Sequence, residues 1–359
     1  MKFSPEFMAT HLAAMAHRDP DQACSLILKY FPEAPGIPRL TKSTRMYLEG
    51  IPCLVVDSSK RKLWFDISPK RETELIEFYE RCAANDLGYF AISRESAPGM
   101  YVLLERLKEQ PPQQLKMVHI QTPGPVSWGL AMTDDQGTPA FYNETMRDIL
   151  VKTLAMKAKW QERKVKEMLP DVQTMVDFAE PSLVVHTSAV GSGPREDIIH
   201  ALNEVLGAVE GLTCIHCCAN IDWSILMETN TDAINFDAYE YADKIALYPK
   251  ELNAFLERGG MLAWGIVPTA DEKIVQESAD TLMGKLEKDL QMLVNVGINR
   301  QTLLQSSILT PSCATSIMSL ELGERAFQFT SELSQRMREK YFFPGEEKEL
   351  KKLVSKEKR

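Results

Sequence analysis

The fold is decided by two runs, Thr213-Cys214-Ile215-His216-Cys217 and Ala233-Ile234-Asn235-Phe236-Asp237. Each is short and rich in residues that favour β-strands, and similar runs recur along the chain. Longer segments with helical spacing of apolar residues lie between many of them. This alternation is typical of a parallel sheet with helices packed outside it. The sequence therefore predicts a protein of the α/β class.

The number of β-rich runs indicates how the sheet closes. The other runs, of which the first is weak, lie at residues 37–40, 90–93, 117–121, 175–179, 261–266 and 306–309. Together they make eight, the number of strands in a (β/α)₈ TIM barrel. We therefore predict a single barrel over residues 1–343 rather than an open doubly wound sheet.

Two segments fall outside the expected barrel pattern. Residues 53–56 and 63–66 are both β-rich, which predicts an extra β-hairpin at about 51–68, near the N-terminus and between the first two barrel units. The segment 344–359 is highly charged with few apolar residues. We expect it to form a frayed helix or a charged C-terminal tail.

Composition narrows the classes of function. The chain has 359 residues, 44% hydrophobic and 25% charged, which is typical of a globular protein. Its formal net charge of −9 argues against a nucleic-acid partner, which would need a basic surface. We expect no membrane partner either, since no apolar run reaches the roughly 18 residues of a membrane helix. The start of the chain does not resemble a signal peptide, so we expect a cytoplasmic protein.

The run around residue 216 carries possible metal ligands. Side chains alternate across a strand, so Cys214, His216 and Cys218 share one face while Ile215 and Cys217 share the other. If Ile215 faces the helices, an imidazole and a thiol point into the barrel mouth. Zinc binds four nitrogen, sulfur or oxygen ligands, and a catalytic site leaves one position for substrate. The alternative is a buried strand with inert cysteines and a hydrogen-bonded histidine.

Later residues favour the metal interpretation. Cys313 follows the last run in a proline-containing loop, and Asp237 ends the run after the His-x-Cys strand. TIM-barrel enzymes build their sites at the carboxyl ends of the strands, where these residues would meet. We therefore predict a zinc site of His216, Cys218 and Cys313, with a fourth position that is open or filled by Asp237. Glu240 is the alternative carboxylate.

These residues also carry a family resemblance. With Gly124-Pro125-Val126-Ser127 and Glu180-Pro181-Ser182-Leu183, they resemble the catalytic C-terminal half of the cobalamin-independent methionine synthase family, over roughly residues 115–335. That family belongs to the uroporphyrinogen decarboxylase-like superfamily. The resemblance implies a TIM barrel that transfers a methyl group to a thiol with zinc as cofactor. The implied ligands are His216, Cys218 and Cys313, with Asp237 where the family has a glutamate.

The sequence departs from the family in two respects. An acidic pair that holds the amino group of homocysteine in the family corresponds here to Ala179 and Glu180. We therefore expect Glu180 and Asp177 to bind the polar end of the acceptor, with His119 and Gln121 either lining the pocket or packed as buried polar groups. The family's second, N-terminal barrel would not fit in this chain. The resemblance thus implies a core-type enzyme that uses a methyl-corrinoid, free methylcobalamin or a corrinoid protein, with methyl-tetrahydrofolate as the alternative donor.

Several functions remain open at this level. Homocysteine, giving methionine, is the first choice of acceptor, and coenzyme M or another small thiol is the second. Decarboxylation of a porphyrin-like polyacid without a metal would need arginines at the strand ends, where the sequence has carboxylates and sulfur. A non-catalytic accessory protein that binds metal or a corrinoid partner is the alternative of another class.

Overall fold

A computed structural model describes residues 3–40, 46–57, 62–184 and 195–343. Within these residues it contains a large parallel sheet, two small sheets and helices packed around them. The strands are β1 Met8–Ala9, β2 Ala14–Met15, β3 Arg39–Leu40, β4 Leu54–Asp57, β5 Lys62–Phe65, β6 Met117–Pro123, β7 Gln173–Ala179, β8 Leu212–Cys217, β9 Ala233–Phe236, β10 Met261–Val267 and β11 Ser307–Pro311.

The helices fill the connections between the strands. Short 3₁₀ turns at Pro69–Arg71, Ala140–Tyr142 and Pro181–Leu183 add to them. The α-helices are α1 Pro20–Tyr30, α2 Glu72–Ala83, α3 Pro98–Glu109, α4 Pro125–Ala131, α5 Glu144–Met168, α6 Arg195–Leu206, α7 Ser224–Glu228, α8 Ala238–Ile245, α9 Pro249–Glu257, α10 Asp271–Ile274, α11 Ala279–Asn295, α12 Arg300–Gln305 and α13 Leu320–Tyr341. No helix of the described residues is long and apolar enough to cross a membrane.

The large sheet has seven strands in the order β1-β11-β10-β9-β8-β7-β6, and neighbouring strands are parallel. It is curled, as in a TIM barrel. The prediction of an α/β fold with a parallel sheet is therefore confirmed. The eight-stranded barrel is not complete within the described residues.

The gap in the barrel lies between β1 and β6. There Gly36 forms a single parallel bridge with His119, and the hydroxyl of Thr10 donates a hydrogen bond to the carbonyl of Ala34. Pro35 and Pro38 flank this bridge and have no N–H to donate to a ladder, so a regular strand does not extend here. The predicted barrel strand at 37–40 is thus wrong, and β3 instead pairs with β2 in a separate two-stranded sheet.

Two further differences concern the N-terminal third. The predicted strand at 90–93 is wrong: the chain turns there, with Asn85 at a φ of 51° and the Asp86 carboxylate accepting from the Gly88 N–H. Phe90 is buried because it packs in a local apolar cluster with Phe78. The short strand β1, which pairs with β11, was not predicted.

The hairpin segment forms a two-stranded antiparallel sheet, in which Leu54 pairs with Phe65 and Asp57 with Lys62. Residues 58–61, between its strands, and the predicted charged tail at 344–359 lie outside the described residues. The expectation of one domain over 1–343 stays a prediction.

The strands of the large sheet have two different faces. Outward residues such as Ile215, Phe236 and Trp264 pack against the helices in the main apolar cluster. Inward residues near the strand starts form a second apolar cluster, which includes Met117, Met175 and Met261 and closes the interior at that end. Polar inward residues are therefore confined to the carboxyl ends of the strands.

One buried group stands apart from this pattern. Lys157 on α5 has no exposed surface, and its Nζ has no hydrogen-bond partner within the described residues. Burial lowers the pKa of its amine to about 8, although the nearby charge of Glu49 opposes the shift. The Glu49 carboxylate accepts hydrogen bonds from Ser93. A buried amine without a partner destabilises the folded state.

We predict that Lys157→Met raises the free energy of unfolding by about 1–3 kcal/mol at pH 8, because it removes an unpaired polar group from an apolar site. The unfolded chain binds more protons than the folded one between the lowered pKa of about 8 and the ordinary value of 10.5. The free energy of unfolding of the wild-type protein should therefore increase as the pH rises from 8 to 10, and its difference from that of Lys157→Met should become smaller. Urea denaturation at pH 8 and pH 10 measures both effects.

Lys159→Met, on the same helix, is the matched control and should change the free energy of unfolding little. Equal stabilities of wild type and Lys157→Met at pH 8 would contradict the assignment of an unfavourable buried amine.

Candidate metal centre

Three sulfur and nitrogen ligands meet at one end of the sheet. His216 lies near the end of β8, Cys218 follows that strand, and Cys313 lies in the loop after β11. The Cys313 Sγ is 3.6 Å from the Cys218 Sγ and 3.9 Å from the His216 Nε2. One ligand atom from each residue lies within 4.8 Å of the others, so all three can bind one ion. The three predicted side chains are thus brought together.

Strand geometry explains this meeting. Strands β8, β9, β10 and β11 are consecutive in the sheet and parallel, so their carboxyl ends lie at the same edge. Cys214 faces the interior cluster while Ile215 and Cys217 pack in the outer one, which points His216 inward. The curl of the sheet then brings the loop after β11 towards the end of β8.

A hydrogen-bond network orients the imidazole. Asn235 is the register partner of His216 on β9, and its Oδ1 accepts from the His216 Nδ1. Its Nδ2 donates to the Ala263 carbonyl at 3.1 Å and to the Thr310 hydroxyl at 2.8 Å. Since a flipped amide would face a carbonyl with its own oxygen, these bonds fix the orientation of Asn235. The Nδ1 of His216 therefore carries a proton, and Nε2 is the ring nitrogen that faces Cys313 and that a metal ion could bind.

The two thiols differ in their electrostatics. Contact with the Cys218 thiol, together with the adjacent His216, holds the pKa of Cys313 well below its ordinary value despite burial. The same contact raises the pKa of Cys218. Burial opposes protonation of His216, but the Cys313 sulfur and the Asp177 charge raise its pKa to about 9. One thiol of this pair therefore loses its proton readily, because the other thiol and His216 stabilise the resulting thiolate.

The two predicted carboxylates have other contacts than the three ligand atoms above. Asp237 precedes α8, where its Oδ1 accepts from the Glu240 N–H at 3.1 Å and caps the helix. Burial raises the pKa of Asp237 to about 7. The Glu240 carboxylate is exposed and pairs with Lys273 at 2.7 Å. Neither carboxylate belongs to the group of ligand atoms around Cys313 within the described residues.

A layer of buried polar side chains lies on β6 and β7, beside β8. The Gln121 Nε2 donates to the Asp177 Oδ2 at 3.0 Å, and the His119 Nε2 is 3.6 Å from the same oxygen. The His119 Nε2 and the Asp177 Oδ1 have no hydrogen-bond partner within the described residues. Burial favours the neutral form of Asp177, but His119, His216 and Gln121 together hold its pKa below the ordinary value.

Glu180 is fully buried and connects two sequence motifs. Its carboxylate oxygens accept from the backbone N–H groups of Val126 and Ser127, at 2.8 and 2.7 Å, at the start of α4. Gly124 is required beside it, because a Cβ there would collide with the Glu180 carboxyl group. Burial raises the pKa of Glu180 to about 7, although these hydrogen bonds favour the ionised form and oppose the shift. The motifs 124–127 and 180–183 therefore form one capped helix start.

Asn235 and Thr310 carry no local sequence signal for a role in this site. Their inward position can be inferred from strand alternation, since Asn235 shares a face with Asp237. The pairing of Asn235 with His216 depends on the register between β8 and β9, which only the three-dimensional structure provides. Tyr47, whose hydroxyl donates to the Gln121 carbonyl at 2.7 Å, also lacked a sequence signal.

The donor set is suitable for zinc. One imidazole nitrogen and two thiol sulfurs are ligands that zinc prefers, whereas magnesium and calcium prefer oxygen. Three protein ligands also leave a position open for substrate, as in catalytic zinc sites. The residues present therefore fit the metal that the sequence predicts.

Comparisons with known proteins give only weak structural similarities. No protein-family model and no curated protein matches this chain. A B12-independent methionine synthase from Shewanella sp. W3-18-1, in complex with selenomethionine, is 15% identical over 66% of this chain and 67% of its own, with a TM-score of 0.47. A putative vitamin-B12-independent methionine synthase from Listeria monocytogenes is 12% identical over 68% of this chain and 70% of its own, with a TM-score of 0.46.

Glycoside hydrolases are also among the structural neighbours. The GH113 β-mannanase from Alicyclobacillus acidocaldarius is 10% identical over 93% of this chain and 98% of its own, with a TM-score of 0.39. The neighbours named here are thus enzymes of different activities, at identities and TM-scores that carry no functional argument.

We predict that Asn235→Leu weakens zinc binding about 10–100-fold, because Leu cannot accept the Nδ1 proton that fixes the imidazole. Competition with a chromophoric chelator measures the affinity. Asn299→Leu, in the exposed cap of α12, is the control for a lost asparagine hydrogen bond and should bind zinc as the wild type does. Unchanged affinity in Asn235→Leu would contradict the orienting role.

Proposed function

We propose that this protein is a zinc-dependent methyltransferase with a thiol acceptor, of which homocysteine is the first choice. The observation that carries the proposal is the convergence of His216, Cys218 and Cys313 at the carboxyl end of the sheet. Such a site lies where TIM-barrel enzymes carry out their chemistry. The two sulfur ligands distinguish it from the oxygen-rich sites of magnesium enzymes.

The role of the metal follows from the weak acidity of thiols. A free thiol has a pKa of about 8.5 and is mostly protonated at neutral pH. Zinc held by these three residues would supply the positive charge that removes the thiol proton and orients the sulfur as a nucleophile. His216 is held in one orientation by Asn235, so the nitrogen that faces the cysteines needs no rearrangement.

The buried polar layer suits the other end of the acceptor. Asp177 is ionised by its surroundings, and its Oδ1 has no partner within the described residues. An ammonium group would satisfy this oxygen with a charge-assisted hydrogen bond. Gln121 and His119 hold the carboxylate from the side. An amino-acid thiol therefore fits the site better than a thiol without an amino group.

The methyl transfer needs no reactant besides the thiol acceptor and the methyl donor. The acceptor sulfur forms a bond to the methyl carbon, while the bond from that carbon to the donor breaks and its electron pair stays on the donor. The thiol proton leaves to solvent. A methyl-corrinoid, free or on a carrier protein, is the proposed donor, and methyl-tetrahydrofolate is the alternative. The protein's contribution is to place the sulfur and the methyl carbon in line.

We predict that Cys218→Ser and Cys313→Ser each reduce bound zinc to less than about a tenth of the stoichiometric amount, because a serine hydroxyl replaces a thiolate ligand. The fold should persist, since neither side chain belongs to the apolar clusters. Elemental analysis measures the zinc, and circular dichroism monitors the fold. Cys82→Ser, on α2 outside this site, should retain zinc; stoichiometric zinc in both ligand variants would refute the site.

We predict that the zinc-loaded protein methylates homocysteine faster than coenzyme M when methylcobalamin is the donor. Asp177→Asn should lower kcat/KM for homocysteine about 10–100-fold, through loss of a charged hydrogen bond to the amino group. It should affect coenzyme M less, because that thiol has no amino group. Mass spectrometry of the thiol products, with methyl-tetrahydrofolate as a parallel donor, measures all four combinations.

A protein that holds stoichiometric zinc but forms no methylated thiol in any combination would not be this enzyme. That result would favour the accessory role in metal or corrinoid binding.

A further inference from the structure

A cavity of about 450 Å³ opens at the carboxyl end of β6. Its wall includes Arg39, Leu40, Tyr47, Pro123, Trp128 and Ser316. Most of these residues precede or end β6, and none of these six is a candidate metal ligand. Its volume suits a small organic molecule.

Two features place the cavity at the same edge of the sheet as the candidate metal centre. Pro123 ends β6, the strand that carries Gln121, and the Tyr47 hydroxyl donates to the Gln121 carbonyl at 2.7 Å. Ser316 lies three residues after Cys313, so their Cα atoms are within roughly 11 Å of each other.

The walls of the cavity are aromatic and aliphatic. The rings of Tyr47 and Trp128 are 6.1 Å apart between centroids and nearly perpendicular, at 79°. Leu40 adds an aliphatic side chain. Surfaces of this kind bind flat apolar groups and leave the edges to polar contacts.

Arg39 adds a positive charge to these walls. Its guanidinium lies beside the Tyr47 hydroxyl. It is half-buried, and no acidic side chain of the described residues lies within ion-pair distance of it. An arginine in such a place has donors available for a carboxylate, which it binds with two parallel hydrogen bonds.

We propose that this cavity, which we call the Arg39 pocket, binds a small organic carboxylate with a flat apolar body. The carboxylate contacts the Arg39 guanidinium, and the apolar body packs against Tyr47 and Trp128. The assignment of this molecule as one of the two reactants rests on the proposed function, whereas the binding itself does not.

The test compares 2-naphthoate with the uncharged 2-naphthamide by isothermal titration calorimetry on the full chain. The two probes have the same ring system and differ in charge. We expect wild type to bind 2-naphthoate at least about tenfold more tightly than 2-naphthamide, because only the carboxylate can form a charge-assisted hydrogen bond with Arg39. Arg39→Gln should abolish this preference while naphthamide binding stays unchanged, which also shows that the pocket is intact. Arg39→Lys should retain part of the preference.

The control is Arg94→Gln, which removes an exposed arginine that pairs with Glu105. This variant should prefer naphthoate over naphthamide as strongly as wild type does. Equal binding of the two probes to wild type would overturn the proposal. So would an undiminished preference for naphthoate in Arg39→Gln.

A further arm separates this inference from the proposed function. The same titrations on Cys313→Ser should give the wild-type preference, because Arg39 does not depend on the metal ligands. Loss of the preference in Cys313→Ser would mean that naphthoate binds at the metal centre, and the Arg39 pocket would be rejected. Absence of methyl transfer with an intact preference would overturn the proposed function alone.

Discussion

The parallel register of the seven-stranded sheet is the constraint on which the site depends. Because all strands run in one direction, their carboxyl ends lie at a single edge, and residues at these ends meet whatever their separation in sequence. His216 and Cys313 are 97 residues apart, yet their Nε2 and Sγ atoms are 3.9 Å from each other. The interior changes from methionine at the strand starts to histidine, aspartate and asparagine at the strand ends.

Hydrogen bonds make this polar end of the sheet compatible with burial. A buried polar group is unfavourable unless it is paired, and Asn235 alone makes three hydrogen bonds, to His216, Ala263 and Thr310. Glu180 is satisfied by the start of α4. The His119 Nε2 and the Asp177 Oδ1 differ from these groups, because neither atom has a hydrogen-bond partner within the described residues. Networks complete at some atoms and open at others are typical of binding sites.

The Arg39 pocket extends the same edge of the sheet. It is formed from segments outside the His-x-Cys strand and lies near Cys313 through the loop that contains Ser316. The metal ligands, the polar layer and the pocket thus have different chemistries: sulfur, carboxylate and guanidinium. A molecule that bridges them would contact each with a different group.

The sequence predicted the parallel sheet and the clustering of His216, Cys218 and Cys313, since β-rich runs and the chemistry of histidine and cysteine are visible residue by residue. It did not predict the gap beside β6, because the effect of Pro35 and Pro38 on strand pairing depends on which neighbour is present. The run at 90–93 was misread, because Phe90 is buried by a local cluster and not by a sheet. The function of Asn235 depends on register, and that of Arg39 on which segments line a cavity; neither is a local property of the sequence.

The structure places one imidazole and two thiols where they can bind a single zinc ion. X-ray absorption spectroscopy at the zinc edge of the purified protein tests this binding, because it separates sulfur neighbours from nitrogen and oxygen neighbours. We expect two sulfur neighbours at about 2.3 Å and at least one nitrogen at about 2.0–2.1 Å. A first shell of nitrogen and oxygen alone would contradict it.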